Sequence, residues 1–290
     1  MDARFWLVLK GRKMMHEFSV KDAVTKRYSV RTYDKKALEP EVIEKILNYA
    51  DRLQNPLGPK VKVQLIEKET AANGEKLGTY GVIKDAKYYL GVTVPDEEYA
   101  MEALGYDFEK LVLYAASLGL GTCWLGGTFN RSAFTAAMEM KKGDLFPILS
   151  PIGYPAQKMS FTEKLMRKTT KADARLPWKD LFFKGDFHHE IFEKEVGEYR
   201  FPLEMLRLAP SAVNKQPWRV VADEKGFHFF EKHTLGIEHG SVDMQRIDVG
   251  IGICHFHLAA TEQKLEGHFE RRMVDFEVPK GMTYIVSWMR

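Results

Sequence analysis

The sequence predicts an α+β fold built from two related halves on one chain. Three observations predict it. Helix-period and strand-period segments alternate along the chain. Two long apolar helices, at about 97–118 and 248–265, read as central elements. The order of elements in the first half then recurs in the second. With 290 residues, the chain is long enough for one large domain or two small ones. At that size a core forms without staples.

Taken in order, residues 18–27 look helical and lead into the stretch RYSVRTY. A helix follows from about Glu41 to Leu53, its start marked by Pro40 and acidic residues. The segment NPLGP at 55–59 breaks it. Val61–Ile66 alternates apolar and polar residues, as a half-buried strand does. Lys87–Val94 is rich in β-branched and aromatic residues and reads as a buried strand. After the helix at 97–118, GLGTCWLGG interrupts, and a helix is expected over Arg131–Met140 and a strand over Leu145–Gly153. Residues 156–200 are rich in Lys, Arg and Glu with few helix-period stripes, and read as a connecting excursion over the surface. The segment LPWKDLFF is expected to dock it. Then come a helix at Pro202–Leu208, a turn at 209–217, strands at Trp218–Ala222 and Phe227–Glu231, the helix at 248–265, and a last strand at Tyr284–Trp288.

The repetition can be followed residue by residue. Ala50 is followed five positions later by Asn55, and Ala209 five later by Asn214. One long helix runs toward Trp124 and the other toward Phe269. SPIGYP closes one half and YIVSW the other. The second copy lacks the Gly-Leu-Gly segment. The boundaries that follow are 1–17 for an N-terminal extension, 18–155 for the first half, 156–200 for the connection and 201–290 for the second half.

Composition excludes several classes. Apolar residues are 45% and charged residues 29%, as in ordinary soluble globular proteins. A formal charge of +3 gives no electrostatic case for nucleic acid, although a local basic patch could still bind a phosphate. The run Phe5–Leu9 is too short for a signal-peptide core or a membrane span. The two cysteines, Cys123 and Cys254, read as small buried hydrophobes rather than a disulfide, which suits a reducing cytoplasm. Their spacing offers no metal framework. His188 and His189 read as a solvated loop, and His255 and His257 as helix residues on different faces.

Three segments carry chemistry. In Arg27-Tyr28-Ser29-Val30-Arg31, two arginines and a hydroxyl occupy alternate positions, which share one side of an extended chain. Guanidinium forks converging there suit a phosphate or the edge of a heterocycle. Taken alone, the stretch fits a solvated basic strand more simply. The second segment is the turn-rich Ala209-Pro210-Ser211-Ala212-Val213-Asn214-Lys215-Gln216-Pro217-Trp218, whose backbone and side chains can reach a planar ligand. A plain helix-to-strand connector does not need so many specified residues. The third is Gly119 to Gly127, where glycines allow close backbone approach to a ligand. A helix C-cap followed by a turn accounts for it equally well.

Together, in this order, these segments resemble the FMN-dependent nitroreductase family. RYSVRTY resembles its Arg-x-Ser-x-Arg/Lys motif, and APSAVNKQPW is similar to its Ala-Pro-Ser-x-x-Asn-x-Gln-Pro-Trp signature. LGLGTCWLGG followed by PIGYP resembles its C-terminal pair. The resemblance covers most of residues 20–290. One departure matters. In ordinary members the Pro-Ser signature follows soon after the Arg-Ser motif, whereas here that slot holds ADRLQNPLGP and the signature arrives in the second half. Ordinary members are homodimers with FMN at the subunit interface, so this chain resembles a pseudo-dimer sub-group that fuses both roles.

The resemblance implies an FMN cofactor, one per chain, with NADH or NADPH as donor and a nitroaromatic, quinone or similar small molecule as acceptor. Arg27, Ser29 and Arg31 would bind the FMN phosphate, ribityl chain and pyrimidine edge. Pro210, Ser211, Ala212 and Asn214 would line the isoalloxazine from the other half. Gly126 and Gly127 would present N–H groups near flavin N5, and Arg175 resembles a late basic residue that meets the phosphate. No catalytic side chain and no metal is implied, because the flavin carries the chemistry. The chain could work as a monomer, without membrane or nucleic acid. A flavin-binding protein without turnover, for storage or sensing, would use the same residues. It is distinguished by whether NADH or NADPH bleaches the flavin. A flavin-free interaction module would retain no flavin at all.

Overall fold

Two long buried helices organise the chain. In the computed structural model, which describes residues 17–68, 77–234 and 242–290, helix α3 spans Ala100–Ser117 and α7 spans Met244–Glu262. They pack on each other more extensively than any other pair of elements. Glycine makes this possible. A Cβ at Gly105 would overlap the carbonyl of Ile247, and one at Gly250 would overlap the backbone of Glu102. Arg246 of α7 reaches Glu102 of α3 at 3.2 Å, and Tyr106 meets His257 at 2.7 Å. The expected N-terminal extension, 1–17, lies outside the described residues except for Glu17.

Each helix belongs to one half, and the fold is α+β with internal duplication. The first half adds α1 (Val20–Lys26), α2 (Pro40–Asp51) and α4 (Arg131–Ala136). Its antiparallel sheet has the order β1-β2-β4-β3, with β1 Lys62–Glu67, β2 Tyr88–Pro95, β3 Gly121–Thr122 and β4 Asp144–Gly153. Strand β2 pairs on both edges, and its run Tyr88–Val94 is buried throughout, which its β-branched and aromatic residues favour. The second half adds α6 (Arg200–Leu208) and a sheet of order β5-β6-β7-β9-β8. These strands are β5 Phe182–Lys184, β6 Trp218–Ala222, β7 Gly226–Lys232, β8 His268–Glu270 and β9 Met282–Met289. One hydrophobic core runs through both halves.

The duplication also survives in how loops are fastened to the central helices. After α2, Asn55 donates to the buried Asp107 of α3 at 2.7 Å. After α6, the N–H of Ala212 donates to the buried Asp248 of α7 at 3.0 Å. Burial pushes the Asp107 carboxyl up to about 6 and Asp248 well above the usual carboxylate range.

The 156–200 connection departs from the expectation of a surface excursion with little helix. Helix α5 (Phe161–Thr169) forms there, and β5 pairs in parallel with β6. Phe161 and Leu165 stand four apart on one side of α5, but the fold leaves both exposed, so this short apolar stripe does not mark a core-facing helix. Its start is written instead in Ser160, whose Oγ accepts from the N–H of Glu163 at 3.2 Å, with Glu at the capping-box position. LPWKDLFF docks as expected, with Leu181 and Phe182 buried and Trp178 against the Phe182 ring at 4.4 Å. Strand β8 also goes unpredicted, since three residues give no period. Helix α4 stops at Ala136, short of the expected Met140, and α7 begins at Met244, before the expected start.

The glycine contacts make a sharp expectation. Gly105→Ala and Gly250→Ala should each destabilise the fold by about 1–3 kcal/mol through overpacking. This is against the direction of helix propensity, which favours alanine by about 1 kcal/mol. Chemical denaturation measures it, and a gain in stability would refute the close approach.

Candidate functional site

The first wall of the site begins where α1 ends. Arg27 is the C-cap residue, with its N–H on the Ala23 carbonyl at 2.9 Å, and the chain is extended from there. Val30 donates to the Thr122 carbonyl and Lys84 to the Arg31 carbonyl, which holds the stretch against β3. Val30 turns into the core and presses on Gly121, where a Cβ would not fit. Arg27, Ser29 and Arg31 consequently share the other side, as their alternate spacing predicts.

The second wall comes from the second half. After α6, the loop 209–216 is held by the Gln216 N–H on Ser211 Oγ (2.8 Å) and by the Ala212 bond to Asp248. Val213 and Asn214 take left-handed conformations, with φ of 46° and 58°. For a β-branched residue this is costly, of order 1–3 kcal/mol, and such strain clusters at ligand-binding sites. The 156–200 connection supplies the third wall. Asn214 Nδ2 donates to the carbonyls of Lys171 (2.8 Å) and Ala174 (3.0 Å), and Gln216 Oε1 accepts from the Leu176 N–H at 2.8 Å.

These walls enclose two adjoining cavities. The narrow one, about 120 Å³, is lined by Arg27, Ser29, Arg31, Arg175, Pro210, Ser211 and Asn214, with Tyr28, Arg167 and Asp173 among the others. The wide one, about 770 Å³, is lined by Gly126, Gly127 and Ala212 together with Trp124, Met140, Phe146, Met166 and Met244. Arg31, Thr170 and Val213 border both. All the site residues expected from the sequence therefore reach one cavity or the other. Arg167, Tyr28 and Trp124 are additions. Arg167 was hidden because it rides on α5, and the capping box at Ser160 was the signal that could have revealed it.

The expected residues differ in what their donors already do. Arg175 is enclosed by carbonyls, donating to Leu208 (3.0 Å), Ala172 (3.0 Å) and Ala174 (2.8 Å). It clamps the end of α6 to the 171–174 loop. Asn214 is likewise spent on that loop. Arg27 and Arg31 are different: the Nε atom of each is buried with no hydrogen-bond partner. Gly127 has open space where a Cβ would stand, whereas Gly126 packs on Met244 and its carbonyl accepts from Arg131 at 2.6 Å.

The narrow cavity concentrates positive charge. Burial lowers the Arg27 guanidinium, Glu109 opposes that, and Arg167 adds to it. Arg175 is pushed down to about 10, by burial first and then by Arg27 and Arg207. Asp173 is the carboxylate in the lining, and it pairs with Arg167 at 2.5 Å. An anion bound there would complete this arrangement, since guanidinium forks match phosphate oxygens. FMN offers a phosphate at one end and a flat, largely apolar ring at the other. The arginine-lined cavity fits the first, and the wide cavity, with its methionines and aromatics, fits the second.

Inorganic phosphate, raised at constant ionic strength, should accordingly raise the thermal midpoint of the native chain. Arg167→Ala should reduce that gain. An equal response from both chains would take Arg167 out of the anion site.

Comparison with known proteins follows the same lines. A family model described as "Putative TM nitroreductase" matches residues 19–260. A solved structure from Thermotoga maritima, titled a putative nitroreductase, aligns over 97% of both chains with a TM-score of 0.58 at 19% identity, which is a likeness of fold. A nitroreductase family protein from Clostridium difficile aligns over 56% of this chain and 95% of its own, with a TM-score of 0.42 at 21% identity. A structure from Desulfovibrio desulfuricans, titled a putative nitroreductase in complex with FMN, aligns over 50% of this chain and 91% of its own, with a TM-score of 0.40 at 24% identity. No curated protein matches the sequence. The match of the family model over most of the chain places it: this chain belongs to the nitroreductase family that the model describes.

Proposed function

We propose that the chain is an FMN-dependent oxidoreductase that passes hydride from NADH or NADPH to a small acceptor such as a nitroaromatic or a quinone. The observation that carries this reading is the convergence of Arg27, Arg31 and Arg167 on a narrow cavity that opens beside a wide, mostly apolar one. When bound, FMN supplies the two-electron redox chemistry.

The residues divide the remaining work. Arg27, Arg31 and Arg167 hold the phosphate by charge-assisted hydrogen bonds. Ser211 Oγ already accepts from Gln216, so its own hydrogen is available to a ribityl hydroxyl, and Ser29 serves from the opposite wall. Ala212 and Val213 line the wide cavity from the second half and the open backbone at Gly127 lines it from the first, so these would border the ring. Arg175 contributes charge and holds the loop, and Asn214 positions that loop beside Pro210. Arg31 borders both cavities, so its positive charge would favour the reduced, anionic form of a flavin bound there.

Both walls come from one polypeptide, so a pseudo-dimer needs no partner subunit to complete the site. Among the described residues no helix is long and apolar enough to cross a membrane. Cys123 and Cys254 are both buried and free, which suits a cytoplasmic setting.

The test is an anaerobic visible spectrum of the purified chain, before and after NADPH and then NADH. A flavin spectrum that bleaches supports the oxidoreductase and names the donor. A flavin that stays oxidised supports a binding protein without turnover. No flavin, even after FMN is added, removes the cofactor from the account. Arg27→Ala should weaken FMN binding by about 1.5–3 kcal/mol, the range for a hydrogen bond to a charged group. Unchanged FMN affinity would take Arg27 out of the site.

A further inference from the structure

We propose that Glu109 and His255 form a buried positioning pair that aims Arg27 at the phosphate end of the site. The inference rests on the reading of that site as an FMN site.

Glu109 lies on α3 and is fully buried, as is His255 on α7. A carboxylate there is costly unless its oxygens are engaged. The fold engages both. Glu109 Oε2 accepts from the indole N–H of Trp124 at 3.0 Å. Glu109 Oε1 lies 2.9 Å from His255 Nε2 and 3.8 Å from Arg27 Nε. On its far side, His255 Nδ1 lies 2.9 Å from the Met205 carbonyl of α6. A carbonyl oxygen only accepts, so Nδ1 carries a hydrogen. The contact between Nε2 and Oε1 then holds a second proton, shared by imidazole and carboxyl. Every polar atom of the pair is thus occupied, and Oε1 still has capacity toward the arginine.

The placement separates this pair from a simple core ion pair. Trp124 lines the wide cavity and Arg27 the narrow one, so Glu109 touches a wall of each. Arg27 Nε has no hydrogen-bond partner, and its separation from Glu109 is an ion-pair distance. Glu109 holds the guanidinium by charge from behind and leaves its hydrogen-bond capacity for the cavity. Glu109 offsets the burial that lowers the Arg27 guanidinium. The pair also spans the two halves, because α3 carries the carboxylate and α7 the imidazole. Seating α7 on α3 therefore sets the arginine. Neither residue lines either cavity, so any effect of the pair on the phosphate end passes through Arg27.

The experiment compares dissociation constants for FMN and for riboflavin, which lacks the phosphate, in the native chain, Glu109→Gln and His255→Gln. The expected result is a loss of FMN affinity of about tenfold or more in each variant, with riboflavin affinity nearly unchanged. In the Arg27→Ala background, Glu109→Gln should cost no further FMN affinity, because the two act as one unit. Equal loss of both ligands, or no loss of either, would overturn the positioning role. If the variants do not fold, imidazole ¹⁵N NMR of the native chain decides. FMN should move the His255 nitrogens and riboflavin should not, and identical responses overturn the proposal. A native chain that binds neither ligand would overturn the FMN reading itself, and this inference with it. A native chain that binds FMN, with the preference for FMN over riboflavin unaltered in Glu109→Gln, would overturn the positioning role alone.

Discussion

Gly105 and Gly250 let α3 and α7 touch along their backbones, and the site is placed by that contact. The first half carries the arginine stretch on the end of α1 and on β3. The second half carries the Pro-Ser loop after α6. Each of the two cavities is lined by residues of both halves. Seating one central helix on the other brings the walls together, and the connection at 156–200 closes the remaining side with Arg167, Asp173 and Arg175. A larger residue at either glycine would separate the helices and, with them, the two walls.

The same interface has to manage charge in a dry core. Glu102, Asp107 and Glu109 on α3 are buried, as are Asp248 and His255 on α7. Each has a specific partner: Arg246 for Glu102, Asn55 for Asp107, His255 for Glu109, and the Ala212 N–H for Asp248. Buried ion pairs of this kind often contribute little net stability compared with well-packed apolar side chains. What the polar groups add is position, because Asp248 fixes one cavity-lining loop and Glu109 stands beside one cavity-lining arginine. Strain is used in a similar way. Val213 stays left-handed because Ala212 and Asn214 on either side are tied to α7 and to the 171–174 loop.

Much of this could be read in the sequence because it is local. The central helices are apolar on most faces, β2 is a run of β-branched and aromatic residues, and Arg27, Ser29 and Arg31 alternate along an extended stretch. The signature at 209–218 specifies its loop residue by residue. Helix α5 was missed because it is only nine residues long and strongly polar, with few apolar residues to set its period, and its one buried residue is a glutamate. Arg167 was missed with it. The division of labour among the arginines is a long-range matter: Arg175 is enclosed by carbonyls from Leu208 and from its own loop, which no spacing along the chain encodes. Glu109 and His255 are 146 positions apart and meet only when the halves do.

The central claim is that two halves of one chain build one FMN site. Native mass spectrometry of the full chain with added FMN tests it most directly, because it reads bound cofactor and oligomeric state in the same ion. The expected result is one FMN on a single chain, retained when the protein is diluted. FMN found only on a dimer of chains, or two FMN on one chain, would contradict it.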